Sequence, residues 1–165
     1  MATKIPQTMT GSSVFIEGVG FLGTSKEIEL PKIEFETWES KAGLMVRKID
    51  SGILKAMTTK IVMEQYNDVY FSALGKRWKN NVGIYAKQNI APNNIPIVAT
   101  FRGSISSMQM PKMELAKEVN ITIELNTWFY KFEIEGNEKL LIDLENMILQ
   151  IDGEDKYADI RANVL

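Results

Sequence analysis

Glu118-Val119-Asn120-Ile121-Thr122-Ile123-Glu124-Leu125-Asn126-Thr127 alternates polar and apolar residues without a break. A period of two marks a strand with one buried and one solvated face, because successive side chains leave the backbone on opposite sides. The spacing predicts a long strand over residues 114–127, with Val119, Ile121, Ile123 and Leu125 inward and Glu118, Asn120, Thr122, Glu124 and Asn126 outward. After Trp128 the apolar set moves to Tyr130, Phe132 and Ile134, a one-residue change of phase that calls for a bulge. Gly136 and Asn137 then turn the chain into a return strand over 139–144. A short strand over 148–151, a turn at Asp152 and Gly153, and a helical turn within 155–163 complete the C-terminal part.

Working outward, residues 97–108 read as the strand preceding this one, with Pro111 and Lys112 at the turn. A similar theme occupies the first half. Residues 14–19 form a strand, Gly20 and Gly23 a turn, and 27–39 alternate again, with a phase shift at Pro31 and Lys32 that reads as an edge bulge. The partner of that strand is expected over 53–64, giving a long hairpin. Its connection, Lys41-Ala42-Gly43-Leu44-Met45-Val46-Arg47-Lys48-Ile49-Asp50-Ser51-Gly52, reads as a long loop. Asn67 or Asp68 can cap a helix over 69–74 that stops at Gly75; 82–86 is a strand, and 88–96, with Pro92 and Pro96, a loop.

The expected fold is therefore mainly β, an antiparallel β-sandwich or barrel with long hairpins and one short flanking α-helix. A single domain over 14–165 follows an extended arm over 1–13, whose Thr, Ser, Gly and Pro show no period. Strands usually run about five or six residues, so the longest ones here overhang a small domain. Overhanging edges carry unpaired backbone groups that must be blunted or paired with another chain.

At 165 residues the chain can bury roughly 70% of its unfolded surface. Hydrophobic residues make up 45% and charged residues 24%, as in ordinary globular proteins. The 19 basic and 21 acidic residues give a net charge of −2, so no overall field draws the chain to nucleic acid or an anionic membrane. Without Cys or His it lacks a disulfide framework, a thiolate nucleophile, the usual general base near neutral pH and the commonest metal ligands. No catalytic residue, metal or cofactor is expected, and no apolar run approaches bilayer length, which points to a soluble protein made in the cytoplasm.

Gly18, Gly20 and Gly23 spell GxGxxG after a strand, but the following residues alternate at period two, so a hairpin turn fits better than a dinucleotide loop. Asp50, Ser51 and Gly52 match the aspartic-protease triplet, yet they also suit a turn, and no second carboxylate is in view to share a proton. Asn120, Ile121 and Thr122 form a sequon inside a strand, read as chance. Asp152, Gly153, Glu154 and Asp155 lack calcium-loop spacing, and Lys76, Arg77 and Lys79 around Trp78 read as a polar turn with one anchoring aromatic rather than a single-strand platform.

Val14, Phe15, Ile16, Glu17 and Gly18, then Gly23 and the Leu30, Pro31, Lys32 step, resemble the opening of the major tail tube proteins of contractile-tailed phages and phage-tail-like bacteriocins. The closing segment is similar too: Leu141, Ile142, Asp143, Asn146, Met147, Ile148, Asp152 and Gly153, ending in Arg161 to Leu165. Residues 76–96 depart from the family's pattern. The resemblance implies a structural subunit without enzymatic activity, located in the virion tail and assembled in the bacterial host cytoplasm. It implies hexameric rings stacked into a tube inside a sheath, with tape-measure, baseplate and tail-terminator proteins as partners and DNA crossing the lumen without specific binding. Under it Glu118, Asn120, Thr122, Glu124 and Asn126 are candidates for the lumen and residues 41–52 for ring stacking. The tube of a related secretion machine, or a monomeric barrel holding a small apolar ligand, are the alternatives.

Overall fold

The computed structural model describes residues 5–22, 24–79 and 82–165. Along the chain run β1 (Thr8–Ile16), β2 (Val19–Leu22), β3 (Ser25–Glu29), β4 (Phe35–Ala42), β5 (Met45–Leu54) and β6 (Met57–Met63). Next come α1 (Asp68–Gly75), a 3-10 turn over Lys76–Lys79, β7 (Val82–Ala91), β8 (Ile95–Gln109), β9 (Ile121–Ile134), β10 (Asn137–Asp143), β11 (Ile148–Ile151), β12 (Glu154–Asp155) and α2 (Ala158–Val164).

The alternating stretch quoted at the outset lies at the head of β9, and β9 organises the molecule. One of its edges pairs with β8 from Thr122↔Gln109 to Ile134↔Ile97. The other edge is divided: residues 121–127 pair with β6, and 129–134 with β10. The change falls at Trp128, where the ladder with β8 skips a residue between Arg102↔Phe129 and Gly103↔Thr127. This is the bulge that the phase change after Trp128 predicts. The crowding it produces explains Gly103: a Cβ there would sit 1.8 Å from the Asn126 carbonyl oxygen.

Beyond β8 the sheet continues through β7 and β1 to β2, and beyond β10 through β11 to β12. Val14, Ile16, Phe21 and Ile84 from one end share a core with Met57, Ile61, Ile121, Ile123 and Leu125 from the other, so the sheet curls around a single interior. Asn67 caps α1 by accepting from the Val69 N–H at 2.9 Å, and α1 inserts Tyr70 and Ala73 into that core. The Phe21 and Tyr70 rings lie 5.5 Å apart and Phe101 stacks on Tyr130 at 5.2 Å. Burial pushes the Tyr130 hydroxyl up to about 12.

Four expectations change. Residues 41–52 are not a loop: β4 and β5 form a hairpin turning at Gly43 and Leu44, paired from Ala42↔Met45 to Phe35↔Leu54. Cross-strand pairing outweighed the Gly and Asp signals, because Gly52 at φ 72° sits in a bulge braced by its N–H donating to Asp50 Oδ1 at 2.8 Å. Consequently the long hairpin has two segments, β4–β5 and β3–β6, the second in register through Glu29↔Lys60, with a break at residues 30–34 and 55–56. Residues 114–120 carry the alternation but stay outside β9, since β6 ends at Met63↔Ile121 and no ladder reaches them. The expected loop at 88–96 is extended to Ala91, paired with β1, and this leaves the arm shorter than expected, because Thr8–Ser13 belong to β1. Residues 1–4 of the arm, Gly23 of the glycine turn and Asn80–Asn81 lie outside the described residues.

Inside the core, the Thr59 and Thr127 hydroxyls, at 0% and 1% exposure, share a hydrogen bond of 2.7 Å. Thr127 also donates to the Leu125 carbonyl at 3.3 Å, whereas Thr59 has no second partner. Thr127→Val is expected to lower stability by about 1–3 kcal/mol by stranding the Thr59 hydroxyl, and Thr59→Val by less. The double valine variant should recover most of the loss in a chemical-denaturation cycle; additive losses would refute this account.

Candidate assembly surfaces

Cross-strand register turns the β9 alternation into a two-dimensional surface. Glu29, Lys60, Glu124 and Ser107 form one row across β3, β6, β9 and β8, and Glu27, Val62, Thr122 and Gln109 form the next. Asn126 lies opposite Thr58 and Ser104. Ser107 donates to Glu124 Oε2 at 3.2 Å. The charged members are Glu27, Glu29, Glu124 and Lys60, three carboxylates against one ammonium, for a net −2. The reverse side carries Ile28, Met57, Ile61, Met63, Ile121, Ile123 and Leu125 against the core. Among the expected polar residues, Thr122, Glu124 and Asn126 thus share one solvated face, while Glu118 and Asn120 precede β9 on the segment that leads into it.

Glu118 is held by Lys26, whose Nζ donates to Oε2 at 2.6 Å. That hydrogen bond, then the Lys26 charge, then the Asn120 amide draw the Glu118 carboxyl below its ordinary 4.5, and the same contact lifts Lys26 above 10.5. Both groups are solvated, so the pair contributes little to stability. The Asn120 side-chain oxygen is shut off from solvent and has no donor within the described residues.

Edges matter as much as faces. The outer edge of β3 has no partner among the described residues, and beyond Gly103 neither does the β8 edge opposite β9. Among the described residues the cap there is Arg77, whose Nη1 donates to the Ile105 carbonyl at 2.6 Å. In contrast, the other two ends of the sheet, β2 and β12, are only four and two residues long. Short edges of that kind blunt further pairing; Thr8–Ser12 of β1 also run past β2 without a partner on that side among the described residues, but the β3 and β8 edges are the ones that flank the polar face.

The β4–β5 hairpin forms its own two-stranded sheet. Leu144 holds the position on the β9 edge that follows β6, its N–H donating to the Trp128 carbonyl at 3.0 Å, so the hairpin must leave the main sheet. Tyr157 pins its base by donating to the Gly52 carbonyl, above a groove of about 270 Å³ lined by Ile53, Leu144, Met147, Ile148 and Ile160. The expected stacking segment, residues 41–52, therefore contains a turn and an ordered strand, with Leu44, Met45 and Val46 exposed at its tip.

The remaining motifs resolve into structure. Glu17 and Gly18, both at positive φ, make the turn between β1 and β2, so the GxGxxG run leads into a strand. Asp152 and Gly153 turn β11 into β12, Lys76 pairs with Glu17, and Trp78 stands exposed on the 3-10 turn. Sequence reading missed Glu27, Glu29, Lys60, Ser107 and Gln109 as members of the polar face. Their alternation was visible in β3, but only the register places them beside β9.

An antiparallel β domain with one solvated polar face, an open edge on either side of it and a projecting hairpin has the layout of a structural protein. The chain matches the family described as phage tail tube protein FII over residues 6–164 and belongs to that family, so it is a structural subunit located in a phage-type tail. No curated protein matches its sequence. Among solved structures, it is similar to a chain of the sheath/tube terminator of an extracellular contractile injection system, PVC, in the extended state. The TM-score is 0.62 with 11% identity, over 80% of this chain and 99% of that one. The sheath–tube complex of PVC contains a similar chain at TM-score 0.59 and 10% identity, over 79% and 93%. One in the anti-feeding prophage baseplate reaches 0.55 at 12%, over 81% and 97%. At such identities the likeness carries the fold alone.

The Lys26–Glu118 contact has a defined pH window. Depressed Glu118 contributes above about its unfolded value of 4.5 and loses that contribution as pH falls through its folded value. Raised Lys26 contributes below 10.5 and loses that contribution as pH rises through its folded value. Lys26→Met should return the Glu118 carboxyl toward 4.5 in an NMR titration, with little change in melting temperature. An unmoved titration would remove the pair as the cause.

Proposed function

We propose that the subunit closes into hexameric rings by edge-to-edge strand pairing, that the rings stack into a tube, and that the polar face of β3, β6, β9 and β8 lines its channel. The observation that carries this reading is the pair of open edges on opposite sides of that face. The strands β3, β6, β9 and β8 alternate in direction, so β3 of one copy beside β8 of the next continues the antiparallel order. Such a contact joins two different surfaces and is therefore the kind that builds rings. A channel face with net negative charge repels phosphates, which suits DNA transit without specific binding. Sheath, baseplate, terminator and tape-measure proteins complete the assembly, formed in the host cytoplasm. In this reading the single tube domain begins with β1 at Thr8, the residues before it form a short arm, and the chain has no catalytic role.

A second reading, a tube that delivers cargo other than DNA, is favoured by the likeness to chains in extracellular contractile injection systems. Both readings require rings. Negative-stain microscopy of purified protein should show rings or tubes, and the outward-pointing amides within Ser25–Glu29 and residues 104–109 should exchange fast in the monomer and slowly once assembled. A species that stays monomeric in gel filtration would favour the small-ligand barrel instead. The lining has its own test: Glu124→Lys, on the β9 face, should leave tubes intact but slow or stall genome delivery, and unchanged delivery would overturn it.

A further inference from the structure

Among the exposed apolar side chains, two groups lie on segments rooted at opposite ends of β6. Ahead of its first residue stands the hairpin tip, where Leu44, Met45 and Val46 are 105%, 78% and 58% exposed. Beside its last residue, Met63, which pairs with Ile121, lies the segment joining β8 to β9, where Met113 and Leu115 are 98% and 97% exposed. Burying one such side chain is worth about 1.5–3 kcal/mol, and monomeric proteins rarely leave large apolar groups clustered on their surface.

The charges around the patches have opposite signs. Near the tip, Lys41, Arg47 and Lys48 outnumber Glu39, a net +2, and none of these cations has an ion-pair partner among the described residues. Beside the other patch, Glu27, Glu64 and Glu118 act together on Lys26, and with Lys112, Glu114 and Lys117 of the segment itself four carboxylates face three ammonium groups, a net −1. A patch and its complement at opposite ends of one strand make a head-to-tail contact, which propagates without limit.

Building on the stacking reading above, we propose that the hairpin tip of one copy docks on residues 110–118 of a second copy in the adjoining ring. Leu44 and Met45 pack against Met113 and Leu115, while Arg47 and Lys48 face the carboxylates of Glu27, Glu64 and Glu118. Strand pairing closes each ring, and this contact joins one ring to the next.

The chain has no Cys, so a short bis-maleimide reacts only where a thiol is introduced. The variant carrying both Leu44→Cys and Met113→Cys should give a ladder of covalent oligomers from assembled tubes, whereas either single variant should stop at dimers or below. Tubes of the double variant that yield only monomer would overturn the contact and leave stacking by the hairpin standing. Deleting residues 42–49 separates the two claims, since tubes that still form without the tip would overturn the stacking reading itself. Should the Cys variant fail to assemble, Met113→Asp with Leu115→Asp gives an independent answer: folded rings without tubes support the contact, and tubes of normal length overturn it.

Discussion

Much of this structure follows from the division of one edge of β9. Residues 121–127 hydrogen-bond to β6 and residues 129–134 to β10, with Trp128 at the change. Two strands cannot occupy the same stretch of edge, so the chain entering β6 cannot run straight in from along β9. The β4–β5 hairpin is displaced from the sheet as a result, and Tyr157 ties its base to the C-terminal segment. The bulge beside Trp128 also brings β8 close to β9 and leaves room only for glycine at Gly103. A core division and a surface projection thus have one cause, the geometry of a single ladder.

The polar and apolar contributions fall on different parts of the molecule. The four-strand face is held in place by its backbone ladder and by the apolar residues behind it, so its charged groups need no burial and remain solvated. Ion pairs such as Lys26–Glu118 and Lys139–Asp152 sit in water and add little to folding. The hairpin is different. Two strands without a covering layer are marginal on their own, and only the base of this hairpin, at Phe35 and Leu54, packs against the core. Its exposed Leu44, Met45 and Val46 are better explained by contact between copies than by the stability of one copy.

Strand type and most turns were legible in the sequence because each is encoded locally. The alternation before Trp128 and the phase change after it predicted β9 and its bulge, Asn67 with Gly75 predicted α1, and Gly136 and Asp152 predicted turns now seen at positive φ. What the sequence hid was pairing. Gly43, Asp50 and Gly52 have the composition of a loop, and only the opposing residues Trp38↔Ile49 and Ala42↔Met45 show that Gly43 is the turn of a hairpin and that Asp50 and Gly52 lie in its strand. Residues 114–120 erred in the other direction: their pattern suits a strand, but no neighbouring strand extends far enough to pair with them. The polar face was half legible for the same reason, since a single strand reveals which side is wet but not which residues stand beside it.

The four strands β3, β6, β9 and β8 are an even number in strict alternation. An even module meets its own copy with matched polarity however many copies have gone before, so hydrogen-bond direction places no condition on ring size. Only the angle between neighbouring copies can select a number, and that angle is set by sheet twist and by the side chains flanking the β3 and β8 edges. In the proposed ring, the residues along those two edges therefore set the width of the channel while the backbone plan stays the same.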